Sequence, residues 1–407
     1  MHIWLIQTGE PLPLNSTAKK MRTALLADKL IARGHSVTWW ASSFDHVKKN
    51  WVCEGDKEIE IKNGLKIIPL KGTGYKKNIS LSRFIDHRIV AGKFRKTASA
   101  TPKPDLIVTS MPPHDLAYEA VLFAKTNKIP VVVDIRDEWP DLFVNYAPAI
   151  LQPLVRLFLI NDFEMIKKAM QNADSLISMM DSLLKWGLNY AGRSKNQNDK
   201  IFYLGSKKIN TDENMATLKF ADELKDKFVI TFIGTFVDNN DPSILIDCAK
   251  KLTDKNIHFV LAGDGELLRE IKQKSANLNN VSFAGWLSEQ EINVLLKYSN
   301  VGIAPTKQAR NAFPNKVFSY FSAGIPVITA FEGDLKEIIE KSKAGIYYPP
   351  NNVEKLIEAI NALHQNHDLY KLMSENVKNI FEELFDADKI YSEYANHLEK
   401  IAEKKHR

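Results

Sequence analysis

From Arg310 to Ile328 the chain reads Arg-Asn-Ala-Phe-Pro-Asn-Lys-Val-Phe-Ser-Tyr-Phe-Ser-Ala-Gly-Ile-Pro-Val-Ile. Pro314 and Asn315 are helix-opening residues, and Phe318 and Phe321 fall three apart on one helical face. Gly324 can take the left-handed cap and Pro326 forbids continuation, so a buried strand begins at Val327. A helix that opens here presents unpaired N–H groups and the positive end of its dipole, which attract phosphate. Lys316 and Arg310 add charge at the same place. An ordinary αβ corner with surface cations is the alternative reading.

Working outward, the same alternation fills the chain. Ile3–Gln7 is short and apolar, Thr17–Arg33 has helical periodicity, and Gly34-His35 turns into the strand Ser36–Trp40, one βαβ unit with parallel strands. Further strands are expected at Leu65–Leu70, Asp105–Thr109, Val131–Ile135 and Ser175–Ser178, with helices at Asp115–Asn127 and Phe158–Asn172. The second half repeats the scheme: strands at Phe228–Ile233, His258–Ala262, Val281–Phe283, Gly302–Pro305 and Val327–Ala330, separated by helices. The expected fold class is therefore α/β, with two doubly wound, Rossmann-like domains. The polar run Ala191–Lys200 has the composition of an exposed loop near their junction. The domains are placed at 1–190 and 200–375, with a helical segment 376–407 that packs back across them.

With 407 residues, 44% hydrophobic and 26% charged, the chain has the composition of a globular protein. The apolar run Ile150–Ile160 is broken by Gln152, Pro153 and Arg156 and falls short of a spanning helix. The amino terminus, Met-His-Ile-Trp-Leu-Ile-Gln-Thr-Gly, reads as a first buried strand and not as a signal peptide, which implies a cytoplasmic location. Two cysteines, Cys53 and Cys248, support neither a disulfide framework nor a metal site, and no metal ligand set is nominated.

The net charge of +6 is unevenly spread: residues 1–180 hold 25 basic against 18 acidic residues. Eleven basic residues lie between Lys62 and Lys103 against one acid, Asp86. Leu81, Phe84, Ile85 and Ile89 recur there at helical spacing, with Phe94 further on. Region 76–99 thus reads as a basic amphipathic helix that lies on an anionic membrane surface. Packing of that stripe on its own domain is the alternative. Nucleic acid is disfavoured because no recognised motif accompanies the charge.

In open α/β sheets ligands bind beyond the carboxyl ends of the strands, so residues just after each strand are the candidates. Gly9 and Glu10 follow the first strand, where a turn can approach a sugar or phosphate. His114, after Asp105–Thr109, can donate to a hydroxyl, and Asp115 can cap the next helix. Val131–Ile135 runs into Arg136-Asp137-Glu138. Asp134, Arg136 and Asp137 are nominated as catalytic, since buried charge is costly unless paired or used; an Arg136–Asp137 or Arg136–Asp134 ion pair is the structural alternative. Gly234 and Thr235 follow one strand of the second half, Gly263 and Gly265 another, where they leave room for a ligand. The third glycine of a dinucleotide fingerprint would fall at Leu268, which argues against a nicotinamide enzyme.

Taken in order, these pieces resemble the GT-B glycosyltransferases of family four. The resemblance rests on Leu26–Thr38, Ile129–Asp137, Phe232-Ile233-Gly234, Val260–Gly265 and the segment through Ala323-Gly324-Ile325-Pro326-Val327-Ile328. It implies two Rossmann-like domains facing across a cleft, an acceptor site in the first and a nucleotide-sugar site in the second, with no cofactor or metal requirement. Three departures are visible. The family's paired glutamates, eight apart, fall on Asn311 and Ser319, so a carboxylate nucleophile at those positions is excluded. The usual arginine after the first donor-domain strand is Thr235, and its companion lysine is missing from Asp238–Asp241. The first-domain histidine aligns with Arg136. The chain is in this respect similar to O-antigen transferases with a Pro-(Ser/Asn)-Lys motif, here Pro314-Asn315-Lys316.

The resemblance implies a membrane-associated retaining glycosyltransferase that moves a sugar from a nucleotide diphosphate donor to a lipid-linked saccharide at the inner face of the membrane. Donor contacts are expected from Gly234, Thr235, Gly263, Gly265, Arg310, Asn311, Asn315, Lys316 and Ser319, with Lys307 a further possible cation. Acceptor contacts are expected from Gly9, Glu10 and His114. A catalytically inactive scaffold homologue and a nucleotide-sugar 2-epimerase of the same fold are the rival readings.

Overall fold

Runs of Val, Ile and Leu bounded by glycine or proline become parallel strands because both faces of such a strand are covered by helices. The computed structural model of the chain describes residues 1–15, 20–209, 221–253 and 256–406. Of the helix expected at Thr17–Arg33, residues 17–19 lie outside the described residues. The chain divides into two compact units, Met1–Tyr203 with Tyr391–Arg407, and Leu204–Ile390.

Among the described residues the first unit holds an eight-stranded sheet and a small hairpin. Its strands are β1 (His2–Ile6), β2 (Ser36–Ser42), the hairpin β3 (Phe44–Asp45) and β4 (Asn50–Trp51), β5 (Ile59–Lys62), β6 (Leu65–Leu70), β7 (Leu106–Met111), β8 (Val131–Ile135), β9 (Ser175–Ser178) and β10 (Lys200–Ile201). The sheet order is β10-β9-β8-β7-β1-β2-β6-β5, parallel except where β5 meets β6. Helices α1 (Arg22–Ala32), α2 (Leu81–Ala98), α3 (His114–Thr126), α4 (Asp141–Tyr146), α5 (Gln152–Phe158), α6 (Ile160–Asn172) and α7 (Asp181–Ala191) connect them. The helix expected at Phe158–Asn172 is α6, which starts two residues later at Ile160, while Phe158 ends α5.

The core of this unit is aromatic. Trp4 and Trp40, side by side on paired strands, meet Phe94 of α2 edge-on at 6.2 and 4.9 Å, contacts worth about 0.5–1.5 kcal/mol each beyond burial. Phe94, Val90 and Ala91 are buried. The apolar stripe expected on region 76–99 therefore divides: α2 packs one face on its own sheet, while Leu81, Ile85 and Ile89 stay exposed on another.

The second unit carries the six-stranded parallel sheet β13-β12-β11-β14-β15-β16, made of β11 (Phe228–Ile233), β12 (Ile257–Ala262), β13 (Val281–Gly285), β14 (Val301–Ala304), β15 (Val327–Thr329) and β16 (Gly345–Tyr347). Its helices are α8 (Ser243–Lys251), α9 (Leu268–Lys274), α10 (Glu289–Tyr298), α11 (Asn315–Ser322), α12 (Asp334–Ser342), α13 (Val353–Gln365) and α14 (His367–Ile380). The last helix, α15 (Ala387–His406), starts in this unit and belongs to the first from Tyr391 onward. Chain order reverses between β11 and β14, the switch point at which doubly wound sheets open a crevice.

Helix α11 is seated at that point by Tyr320, whose hydroxyl accepts from Ile233 N at 3.0 Å and lies 3.2 Å from the Thr231 carbonyl. Gly302 makes room: a Cβ there would lie 2.3 Å from the Tyr320 ring. Gly302→Ala is therefore expected to destabilise the second unit by about 1–3 kcal/mol or more. Gly92→Ala, inside α2 where a Cβ meets nothing within 4 Å, should stabilise the first unit by about 0.5–1 kcal/mol. Urea titrations of the two variants check both signs.

Candidate functional site

Helix α11 starts after Pro314 with no side-chain cap, and Gly324 closes its far end in the left-handed region at φ 73°. The amides of Asn315 and Lys316 thus lie in the first turn of α11, the helix that follows β14 next to the switch point. Lys316 turns back into the crevice. Its side chain is 9% exposed; the amine donates to Asn240 Oδ1 and lies 3.9 Å above the Phe232 ring. Asn240 is itself tied to the Thr235 carbonyl at 2.8 Å. Burial pushes the Lys316 amine well below the usual lysine range. Among the described residues no carboxylate pairs with this buried amine, which is held by one amide oxygen and a ring.

Gly234 lies beside this amine: a Cβ there would come within 3.1 Å of Lys316 Nζ. Thr235 is exposed and offers its carbonyl to Asn240. Gly263 and Gly265 correct the expectation that they leave space for a ligand. A Cβ on Gly263 would sit 1.8 Å from the Gly234 carbonyl oxygen, and one on Gly265 2.5 Å from the Phe236 oxygen. Both glycines exist so that the loop after β12 can cross the loop after β11, where Phe236 N donates to the Asp264 carbonyl at 2.9 Å.

The other donor-side candidates are less concentrated. Arg310 is exposed and stacks 5.4 Å above Phe331. Asn311 turns its Oδ1 to the Asp334 amide at 3.3 Å, at the amino end of α12. Asn315 is exposed on the first turn of α11 and Ser319 half-buried one turn on. Lys307 is held by Asp238 at 2.8 Å and Asp241 at 2.9 Å, which leaves it no free charge for a phosphate.

In the first unit the strand-end carboxylates separate into two kinds. Asp134 is fully buried, with Arg22 Nε at 2.9 Å and Arg136 Nη2 at 3.0 Å. Burial alone would raise this carboxyl; the two guanidinium groups outweigh it and hold it below the usual range. Arg136 continues to Glu10, whose carboxylate also accepts from the Thr23 amide at 2.9 Å and so caps α1. Asp134, Arg136 and Glu10 are thus counter-ions in one buried chain, not groups open to substrate, because each charge already has its partner. Gly9 caps nothing: its amide donates to Gln7 Oε1 at 2.7 Å.

His114 is likewise withdrawn, 1% exposed with Nε2 2.7 Å from Asp162 Oδ1. Asp115 does not cap α3, which opens one residue earlier, after Pro113. His114, Asp115 and Asp162 bring three metal-ligand atoms within 4.8 Å of one another, but Arg88 already supplies positive charge at 3.5 Å from Asp115 and 3.4 Å from Asp162.

Asp137 differs. It is half-buried and accepts from the Glu138 amide at 2.9 Å, and its carboxyl is raised by desolvation against the pull of that amide, of Arg83 and of a hydrogen bond from the Trp139 side chain. Trp139 beside it lies under Arg83 at 4.4 Å and meets Phe143 at 4.5 Å. Sequence reading missed Arg22, Asn240, Arg83 and Trp139. The partners of Arg22 and Asn240 lie far away in sequence, and no spacing rule joins them.

Residues 227–366 match the family described as "Glycosyl transferases group 1". The matched residues all lie in the second unit. The chain is also 28% identical over 177 residues to O-antigen chain mannosyltransferase C of Escherichia coli, a match covering 43% of this chain and 47% of that protein. It is 26% identical over 202 residues to the Escherichia coli UDP-Gal:alpha-D-GlcNAc-diphosphoundecaprenol alpha-1,3-galactosyltransferase, covering 44% and 51%. The chain spans about half the length of the curated relatives it matches. The crystal structure of Anabaena HepE in complex with UDP superimposes with a TM-score of 0.68 at 16% identity, over 98% of this chain and 99% of that one. That likeness shows the GT-B fold along the whole chain, while the group 1 signature is confined to the unit that holds Lys316.

Because the native state disfavours the Lys316 proton, the unfolded chain binds more protons between the lowered native pKa and about 10.4, and stability rises with pH across that window. Lys316→Met should flatten this rise and stabilise the second unit by on the order of 1 kcal/mol. Denaturant midpoints measured from neutral to alkaline pH check it.

Proposed function

We propose that the protein is a retaining glycosyltransferase that moves a sugar from a nucleotide diphosphate donor to a lipid-linked saccharide acceptor in bacterial surface-polysaccharide synthesis. The observation that carries the reading is Lys316, a buried amine without a carboxylate, set at the open amino end of α11. A diphosphate bound there receives amide N–H groups, the helix dipole and an ammonium that regains its proton as the anion arrives. When the anomeric C–O bond breaks, negative charge grows on the leaving oxygen, and donors already in place lower the barrier. The group 1 match and the relatives' sugar-transfer activities support this donor class.

On the acceptor side, Asp137 is the strand-end carboxylate not consumed by the buried chain. It accepts a hydrogen bond from the acceptor hydroxyl and orients it, and the leaving phosphate takes the proton on the same face. Asn311 and Ser319 offer no acid, so the proposal has no protein nucleophile at those positions and assigns no step to a metal ion. Lys316→Ala is expected to lower kcat about a hundredfold; near-normal turnover, or calorimetry showing no binding of any nucleoside diphosphate, overturns the assignment and leaves the scaffold reading. Donor incubated alone should give no epimerised sugar. Asp137→Asn should lose about tenfold to a hundredfold in kcat/KM and lose the acidic limb of its pH profile, which in the native protein falls above the ordinary aspartate range.

Membrane attachment is the second part of the proposal. Among the described residues no helix is long and apolar enough to cross a membrane. The first unit nevertheless exposes Ile150, Leu154, Leu157 and Phe158 at 64–88%. On α2, Leu81, Ile85 and Ile89 are exposed beside Arg88 and Arg95. Apolar side chains next to basic ones suit the headgroup region of an anionic leaflet at the inner face of the membrane. Leu157→Asp with Phe158→Asp should lower co-sedimentation with phosphatidylglycerol vesicles at least tenfold, with turnover on a soluble acceptor unchanged.

A further inference from the structure

The loop after β11 turns back through one short turn of 3-10 helix, Asp238–Asn240. Asn240 N donates to the Val237 carbonyl at 2.8 Å, which fixes the backbone, and the side chain then bridges two groups. Its Nδ2 donates to the Thr235 carbonyl at 2.8 Å, and its Oδ1 accepts from Lys316, 76 positions away. A carbonyl only accepts, so the amide has one orientation here, with its oxygen toward the amine. Gly234, at φ 148°, clears the space for this pair: a Cβ there would lie 2.8 Å from Asn240 Nδ2 and 3.1 Å from Lys316 Nζ.

The charged groups of the surrounding elements are engaged elsewhere. Asp238 and Asp241 flank Asn240 in sequence, yet both hold Lys307, at 2.8 and 2.9 Å. Asp264, on the loop after β12, accepts from the Gly265 amide at 2.7 Å. On α11 itself the Tyr320 hydroxyl, one turn beyond Lys316, is taken by Ile233 N and stays a phenol, since burial raises it. Arg310 lies over the Phe331 ring. None of these charges contributes to the lowering of Lys316, whose cause is burial. An amide at position 240 does what an acid would not. It offers an oxygen to the amine in either protonation state without fixing the positive charge. A carboxylate there would hold the proton and repel an incoming diphosphate, and an apolar residue would leave the amine undirected.

We propose that Asn240 is a positioning residue that parks the Lys316 amine over Phe232 and yields it to the donor diphosphate, which binds together with a proton from solvent. The inference rests on the donor site proposed above and adds its regulation by pH. The parked amine is neutral above its lowered range; on binding it gains a proton and exchanges the amide oxygen for phosphate oxygens, and no covalent bond to carbon or phosphorus changes. Each phosphate of a nucleotide sugar has only a strongly acidic proton, already lost near neutrality, so the proton taken up belongs to Lys316. The sign of the linkage follows. Between the lowered range of the free amine and the ordinary range of the bound one, the complex holds more protons than the free protein. Donor affinity therefore falls as pH rises through that window, by up to about tenfold per pH unit. Release of the nucleotide runs the step backward and returns the proton.

Calorimetry of UDP-galactose, GDP-mannose and dTDP-glucose at about pH 9, in two buffers of different ionisation heat, reads the proton uptake directly. The tightest binder is expected to take up about one proton in the native protein and none in Asn240→Asp or Lys316→Gln. In Asn240→Asp the carboxylate keeps the amine charged before the donor comes. Affinity should then fall about tenfold or more at neutral pH and lose its alkaline decline. Isotope-edited NMR of the lysine side chains, with no nucleotide added, gives a second reading. Lys316 should titrate below the ordinary lysine range in the native protein and within or above it in Asn240→Asp. Proton uptake unchanged in Asn240→Asp overturns the positioning role even where that variant is less stable, because a merely structural residue changes stability and not the proton count. Donor binding without proton uptake in the native protein overturns the inference and leaves the donor site standing. No binding of any of the three nucleotide sugars removes the donor site and the inference with it.

Discussion

The buried chain Glu10–Arg136–Asp134–Arg22 holds the first unit together. Arg22 leaves the first turn of α1, grips Asp134 at the end of β8, and donates to the Phe202 carbonyl at 2.6 Å. Its guanidinium also faces the Tyr394 ring at 5.1 Å, on α15. One side chain thus fastens a helix, the sheet, the last residues of the unit's first segment and the returning helix. Two cations and two carboxylates, all nearly solvent-free, are tolerable because every charge meets an opposite one with hydrogen-bond geometry; removing any member would strand the others, a loss of about 3–5 kcal/mol. The cost of assembling the chain also explains why Asp137, one residue past Arg136, is the carboxylate left over. Arg136 turns inward to Asp134 and Glu10, while Asp137 stays outside that chain, with the Glu138 amide, the Trp139 side chain and the Arg83 charge near it.

The second unit applies the opposite rule. Where Arg22 and Arg136 are compensated, Lys316 has only an amide oxygen and an aromatic face to favour its charged form, against burial and the positive end of a helix, which make its proton harder to keep. A fold selected for stability alone would place Met there or supply an acid. The same unit contains acids within reach of a lysine, since Asp238 and Asp241 both hold Lys307. Two lysines enter one region, and the carboxylates serve the exposed one. Charge left uncompensated in a crevice at the amino end of α11 supports the anionic ligand proposed above.

The alternation of strands and helices could be read from the sequence because parallel strands are buried on both faces and appear as Val, Ile and Leu runs ending in Gly or Pro. The layout of Arg310–Ile328 was equally readable, since Pro314, Gly324 and Pro326 act locally. What failed to show depends on approach between distant segments. Arg22 and Asp134 are separated by 112 positions. Gly263 reads as space for a ligand until the Gly234 carbonyl is found in that space. The pair Asn240 and Lys316 is hidden because an amide that positions a cation 76 residues away leaves no charge pattern in the sequence. The run Ile150–Ile160 was measured only against the length of a spanning helix, a test that is silent on whether a short apolar helix faces water. On α2, Phe94 and Ile89 follow similar spacing yet one is core and the other surface, because an 18-residue helix can bury one stripe and expose another.

Asn311 shows how the site has moved away from acid chemistry. Its Oδ1 accepts from the Asp334 amide, and Gly333 leaves no room beside it: a Cβ there would come within 2.3 Å of the Asn311 amide carbon. A glutamate at this position would need to carry its charge past that contact, whereas asparagine fills the space and serves the amino end of α12. Once this position is given to holding α12, and Ser319 stands where the second acid is expected, no protein carboxylate remains on this helix to stabilise positive charge at a sugar carbon. In the reaction proposed above, the burden then falls on the other partner of the breaking bond. Negative charge on the leaving diphosphate must be met early and fully, which demands a cation close to the amides and free of other partners. The placement of Lys316 meets that demand, and the absent acids and the uncompensated lysine are two sides of one arrangement.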